Sequence, residues 1–338
     1  MNLEYDADEQ SLLSQAADVF RGIAPLDAAG QKPSVWRSLV DAGWHDLGAD
    51  VERGTLAAGL AAGVFRAAGH QLLVDQFTSG AYLLSALATH VQDEPDRAHV
   101  AAALEQRPGV LLGDGRGAAV PVVDAGAREG YCFGAQGEID VYRVVDDGGL
   151  VLARWLGAPP RVQARPALSP SVATVTVDGD EWRPMRLDLT AGDLPGIETT
   201  ALLLHSAALI GCAEELLTTT RDYALNRHQF GAPIGSYQAV KHALADVYAA
   251  NTVAWNAILS AVAEGADTVT APLVARYLAV EAALGSARAG AQFHGGMGFT
   301  AELTVHRFLK TVLDGGQRFG SHDEFAAALG KEMVSRAC

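Results

Sequence analysis

From residue 199 to residue 314 the chain reads as a succession of long helices with few breaks. Apolar residues recur at helical spacing through 199–226, 234–263, 270–292 and 302–314. Gly231-Ala232-Pro233 and Gly295-Gly296 supply breaks between some of them. Helices of this length must bury an apolar stripe against one another. The stretch therefore predicts a four-helix bundle, and residues 196–338 are expected to form a C-terminal helical unit.

The N-terminal part has the same character. Ala7-Asp8-Glu9-Gln10 opens a helix whose apolar positions Leu12, Leu13, Ala16, Val19 and Phe20 follow a helical period. Acidic residues in its first turn complement the helix dipole. Ala/Leu-rich stretches at Thr55 to Ala68 and Ser79 to His90 predict further helices. Composition shifts near Pro108 to Val, Gly, Asp and Pro. Runs such as Leu150-Val151-Leu152-Ala153 and Val172-Ala173-Thr174-Val175-Thr176-Val177 carry strand character, and Asp178-Gly179-Asp180 marks a turn. The expected fold class is thus α+β: an N-terminal helical domain over 1–108, a small antiparallel β domain over 109–195 and the bundle over 196–338.

Charge and cysteine usage narrow the function classes. A formal charge of −15 argues against general nucleic-acid binding and reads first as solubility. Arg307, Lys310 and Arg318 are close enough in sequence to form a local basic patch for a phosphorylated ligand. Cys132, Cys212 and Cys338 are far apart and form no CxxC pair, which argues against a disulfide framework or a zinc site and fits a reducing cytoplasm. The acidic N-terminus does not read as a secretory signal, and no run reads as a membrane span.

Two short runs carry the chemistry. Arg227-His228-Gln229-Phe230-Gly231, followed by Gln238, falls at the end of a long helix. One reading is an ordinary helix stop, with Arg227 facing the dipole, Gly231 at positive φ and Phe230 as a core plug. The other is that Arg227 and Gln229 project toward an anionic ligand, because a guanidinium fork pairs with two phosphate oxygens. In Gln292-Phe293-His294-Gly295-Gly296-Met297-Gly298-Phe299, the glycines allow a ligand or another backbone to approach closely. A tight turn with a structural His294 is the plainer reading. A third run, Gly113-Asp114-Gly115-Arg116-Gly117, mimics a dinucleotide fingerprint, but Val120-Pro121 follow where a helix is required.

Together these runs make the chain resemble the acyl-CoA dehydrogenase family. Tyr223-Ala224-Leu225-Asn226-Arg227-His228-Gln229-Phe230-Gly231-Ala232-Pro233-Ile234 is similar to a family signature. Tyr237-Gln238-Ala239-Val240-Lys241-His242, Leu244-Ala245-Asp246 and the Gln292 to Phe299 run follow in matching order and spacing. The resemblance implies FAD held between a β domain and a C-terminal bundle at a subunit interface. It assigns the ADP side of FAD to Arg227, Gln229, Phe230, Gln238, Gln292, Gly295, Gly296 and Gly298. The implied reaction is α,β-dehydrogenation of an acyl-CoA: a carboxylate takes the α-proton while the β-hydrogen leaves as hydride to the flavin. An electron-transfer flavoprotein is the implied acceptor.

The chain departs from this family where the base should stand. Counted without gaps, the two usual positions fall on Phe319 and Ala201, and neither is a carboxylate. The nearest acids are Glu198, Asp314, Asp323 and Glu324. The β region also lacks the family's Thr-Glu-Pro-like stretch, and Trp155 and Trp182 stand at other places. The pattern resembles the short, base-lacking subunits of actinobacterial steroid-type acyl-CoA dehydrogenases, which pair as α2β2 heterotetramers. Two alternatives stay open. One is a homomeric enzyme with a displaced base, Asp323 or Glu324 first. The other is a fold that has lost redox chemistry, acting as a scaffold or a non-redox thioester enzyme with His205, His294 or His322 as acid or base.

Overall fold

A computed structural model describes residues 5–23, 34–74, 77–112, 120–133, 139–164, 172–300 and 303–337. The N-terminal helices are α1 (Ala7–Gly22), α2 (Ser34–Asp41), α3 (Leu47–Glu52) and α4 (Ala58–Gly69). A π-helical segment, Phe77–Leu84, then leads into α5 (Ser85–Thr89), and α6 (Glu94–Gln106) follows. The start of α1 is set by a capping box: Asp6 accepts from the Glu9 amide and Glu9 returns the bond to the Asp6 amide.

The middle region holds β1 (Gly109–Leu111), β2 (Glu129–Phe133), β3 (Asp140–Asp146), β4 (Leu150–Trp155), β5 (Arg161–Ala164), β6 (Val172–Thr176) and β7 (Trp182–Arg186). They form one sheet in the order β1-β3-β4-β7 and a second in the order β2-β6-β5. The expectation of antiparallel pairing holds for every pair except β1–β3, which is parallel. The chain travels from β1 to β3 through β2 in the other sheet, so β3 returns in the same direction as β1. The Gly113 to Gly117 run lies outside the described residues.

The C-terminal region consists of α7 (Leu194–Asn226), α8 (Gln238–Val262), α9 (Thr270–His294), α10 (Val305–Gly315) and α11 (His322–Ala337). Pro195 sits in the first turn of α7, where its missing N–H costs nothing. By length and composition α7 does pass as a membrane span, against the expectation above. Its most apolar window is 78% buried inside the protein, however, so it is the core helix. One apolar core runs through both helical regions along α7, and a smaller one fills the space between the two sheets. α4 and α7 cross at backbone contact: a Cβ on Gly211 would lie 1.9 Å from the Arg66 carbonyl, and one on Gly69 2.0 Å from that of Ala208. Beside the crossing, Arg66 grips Glu214 and His70 lies between Glu214 and Glu215.

Candidate functional site

α7 ends at Asn226, and Arg227 leaves the helix in an extended conformation. His228–Gln229 (β8) and Ala232–Pro233 (β9) then pair as a two-residue hairpin. Its turn residues Phe230 and Gly231 both have positive φ, 52° and 83°. Two consecutive positive φ values are what a type I′ turn demands, and Gly231 meets that demand without strain. The helix-stop reading is therefore replaced by a hairpin hook. Phe230 is not a core plug: it is 95% exposed at the tip. Arg227 and Gln229 are exposed beside it. The hook is tied to the start of α8, because the Tyr237 hydroxyl donates to the Gln229 carbonyl at 3.1 Å and the Ile234 amide donates to the Arg227 carbonyl at 2.7 Å. Gln238, the first residue of α8, thus lies next to the hook.

The glycine run sits at the other end of the same arrangement. α9 ends at His294, and Gly295 takes φ 56°, ψ −140°, a conformation suited to glycine. A short 3₁₀ turn over Gly295–Phe299 follows. The His294 ring is buried, stacks on Tyr223 with centroids 4.3 Å apart, and donates from Nδ1 to the Gly290 carbonyl at 2.9 Å. Tyr223 lies one turn before Arg227. The stack therefore fastens the hook end of α7 to the glycine turn, bringing the two runs together. Sequence reading listed His294 and Tyr223 but missed their contact. No local signal marked it, because Tyr223 and His294 belong to different helices.

The donor set fits the ADP half of FAD. Gln292, Gly295 and Gly296 are exposed, and a Cβ on either glycine would meet nothing within 4 Å. Gly298 is buried, and a Cβ there would press on that of His294 at 3.1 Å. An exposed guanidinium, exposed amides, an exposed aromatic ring and open glycines are the groups a pyrophosphate and an adenine require. All of these groups are exposed.

The two positions where the resemblance places a base are closed and apolar. Ala201 is fully buried on α7. Phe319 takes φ 64° and packs edge to face on His205, which follows Ala201 by one turn. Behind them Arg276 is fully buried. It donates from Nη2 to the carbonyls of Gly315 and Arg318, both at 2.7 Å, and from Nη1 to His205 Nδ1 at 3.3 Å. Its guanidinium also stands 5.8 and 5.7 Å from the rings of Phe319 and Phe325. Burial, with Arg276 and Arg318 adding repulsion, pushes the His205 pKa well down, so the ring is neutral. Arg318 is buried and bonded to Asp314, so the expected basic patch of Arg307, Lys310 and Arg318 does not form.

The remaining acids are engaged or exposed. Glu324 caps α11, accepting from the Ser321 amide at 2.7 Å and its hydroxyl at 2.9 Å; both bonds hold its carboxyl below the usual range. Asp323 is exposed in the same first turn. Glu198 accepts from the Val120 amide at 3.2 Å, across the seam between the β region and α7. His322 pairs with Glu281 at 3.1 Å and stacks on Tyr277.

Comparison with known proteins agrees with this geometry. The family profile described as acyl-CoA dehydrogenase, C-terminal domain, matches residues 202–313. Acyl-CoA dehydrogenase IpdE2 of Mycobacterium tuberculosis is 36% identical over 184 residues, 54% of each chain. The chain thus spans about half the length of this relative, and 46% of a second IpdE2 from Mycolicibacterium smegmatis. Acyl-CoA dehydrogenase FadE27 of Mycobacterium tuberculosis is 29% identical over 89% of this chain and 88% of its own. Among solved structures, the ChsE4-ChsE5 complex from Mycobacterium tuberculosis superposes with a TM-score of 0.77 at 22% identity, covering 99% of both chains. Butyryl-CoA dehydrogenase from Megasphaera elsdenii gives 0.76 at 15% identity, covering 99% and 100%. The fold is the one these structures share: helical, small β, helical.

Proposed function

We propose that this chain is a member of the acyl-CoA dehydrogenase family and takes part in FAD-dependent α,β-dehydrogenation of an acyl-CoA thioester, as the subunit supplying ADP-side FAD contacts in a heteromer. One observation carries the reading. The hook and the glycine turn are intact and fastened together by the Tyr223–His294 stack, whereas the two base positions hold Ala201 and Phe319.

When bound, FAD accepts the β-hydrogen as hydride. This chain's part is to hold it. Arg227 pairs with the pyrophosphate, Gln229, Gln238 and Gln292 supply amide donors, and Phe230 offers its exposed ring to the adenine. Gly295 and Gly296 let the ligand approach the backbone, and Gly298 lets the turn close on His294. The α-proton goes to a carboxylate of the partner subunit, since both usual places here are apolar and closed. The name of the ChsE4-ChsE5 complex, an assembly of two named proteins, supports a heteromer, for which the resemblance implies an α2β2 arrangement. An electron-transfer flavoprotein as electron acceptor and a cytoplasmic setting complete the proposal, supported by the family and by the cysteine pattern.

Co-expression with a second acyl-CoA dehydrogenase subunit tests this. The complex is expected to be yellow and to oxidise an acyl-CoA, and the chain alone to be inactive. Turnover by the chain alone would sink the heteromer reading. A homomeric enzyme with a displaced base has one structural foothold, Glu198, which stands one turn before Ala201 at the β-region seam. Neither Asp323 nor Glu324 offers a comparable position. If the chain alone is active, Glu198→Gln should abolish turnover and leave flavin bound.

A further inference from the structure

α7 and α9 run side by side in the same direction toward the hook. A Cβ on Gly290 of α9 would lie 3.4 Å from the Leu216 side chain and 3.5 Å from the Thr220 hydroxyl of α7. One turn further along α9, the His294 ring stacks on Tyr223 with centroids 4.3 Å apart. The next step along this seam is the candidate site itself. Tyr223 lies in the last turn of α7, and its carbonyl accepts from the amide of Arg227, the cap of that helix, at 2.8 Å. On the other side, His294 is followed directly by the open glycines Gly295 and Gly296. Tyr223 thus stands between the guanidinium-bearing hook and the glycine turn.

The two rings are held unequally. His294 is 3% exposed, and its Nδ1 donates to the Gly290 carbonyl at 2.9 Å, so its ring is fixed by a bond as well as by burial. Tyr223 is half-buried, and its hydroxyl is open to solvent with no hydrogen-bond partner among the described residues. A packed tyrosine as a rule ends in a hydrogen bond. The chain supplies no carboxylate for it from the adjacent residue, because Asp222 is paired with Arg221 at 2.7 Å. A phenol fixed by stacking on an immobile ring is a preorganised donor, and its acceptor comes from outside the chain. Beside a helix-end guanidinium and glycines that let a ligand approach, the acceptor that fits is an anionic oxygen.

We infer that the Tyr223 hydroxyl donates to a phosphate oxygen of the bound FAD, with His294 as the positioning residue that holds the Tyr223 ring in place. The inference rests on the FAD reading of the hook and the glycine turn. Tyr223 and Arg227 then grip the pyrophosphate from the same end of α7, one with a neutral donor and one with a charged one.

The test titrates the complex of this chain with a second acyl-CoA dehydrogenase subunit, stripped of flavin, with FAD and separately with ADP. Tyr223→Phe keeps the ring on His294 and removes only the hydroxyl. It should weaken both ligands about tenfold at an unchanged melting temperature. His294→Leu removes the ring that places Tyr223. Adding Tyr223→Phe in that background should cost less than about threefold, because the hydroxyl is no longer held. A second full loss there would remove His294 as the positioning residue. If His294→Leu fails to fold, Tyr223→Phe decides the hydroxyl's role by itself. Wild-type affinity of Tyr223→Phe for both ligands overturns the proposal. So does a loss confined to FAD, since ADP carries the same pyrophosphate. Arg227→Ala reads the cofactor assignment separately. Loss in that variant beside full affinity in Tyr223→Phe would remove this contact and leave the FAD reading standing. A wild-type complex that takes up neither ligand overturns both.

Discussion

The rings of His205 and Phe319 meet edge to face with centroids 5.2 Å apart, closing the place where the sequence resemblance puts a carboxylate. The contact is held from behind. Arg276 clamps the carbonyls of Gly315 and Arg318, which fixes the turn that presents Phe319 at φ 64°. If the base belongs here, its loss is more than one substituted residue, because a cationic, hydrogen-bonded plug fills the place.

Phe319→Glu should accordingly fail to create a base. The new carboxylate would stand within reach of the Arg276 guanidinium, now 5.8 Å from the Phe319 ring, and would be held ionised and paired. The expected result is no turnover by the chain alone, measured with a saturated acyl-CoA and an artificial electron acceptor. Oxidation by this variant would show that the plug is not what silences the site. Arg276→Leu should cost about 2–5 kcal/mol in urea unfolding, since it leaves two buried carbonyls unpaired.

Arg227→Ala should act on the cofactor and not on the fold. Arg227 is exposed and no salt bridge is found for it among the described residues. Losing a charge-assisted bond to a pyrophosphate weakens binding about 10- to 100-fold. Flavin content of the assembled protein should fall accordingly, with an unchanged melting temperature. Full flavin occupancy at limiting FAD would remove Arg227 from the cofactor contacts.

These expectations rest on residues that were legible in sequence to different degrees. Arg227, Gln238 and Gly295-Gly296 could be singled out because their pattern is local and carried by a few adjacent positions. The behaviour of Phe230 could not. A helix stop and a two-residue hairpin both use Gly231, and only the positive φ at both residues separates them. Arg318 was misjudged because spacing from Arg307 and Lys310 says nothing about which side of α10 the chain turns toward. After Gly315 it turns inward, and Arg318 meets Asp314. The Tyr223–His294 stack and the Arg276 clamp join distant segments, and a single sequence holds no trace of such pairings. The three-part organisation was legible because it changes the composition over whole regions.

Stability should fall with alkaline pH through His70. Burial of the ring opposes its charge, but hydrogen bonds and attraction from Glu214 and Glu215 outweigh this and push its pKa up to about 9 from 6.5. Both ring nitrogens face carboxylates, and only the protonated ring can donate to both. The contribution is fully present below pH 6.5 and is lost as pH rises through 9. Thermal melts between those values should decline, and His70→Gln should flatten the decline. A wild-type profile no steeper than that of the variant would remove His70 as the cause.

The α4–α7 crossing sets a sharper contrast between two glycines. Gly211→Ala would put a methyl 1.9 Å from the Arg66 carbonyl, against backbone that cannot move without separating the helices. Gly69 makes the matching approach to Ala208, and Cys212 Sγ donates to the Gly69 carbonyl at 3.1 Å, so neither helix can yield alone. Destabilisation of about 3 kcal/mol is expected in urea unfolding. Gly285→Ala, within α9, would meet nothing within 4 Å. There the substitution only removes backbone freedom from the unfolded chain, and it should stabilise by about 0.5–1 kcal/mol. The opposite signs separate close packing from helix propensity. Equal effects from the two variants would mean that the crossing is looser than its geometry indicates.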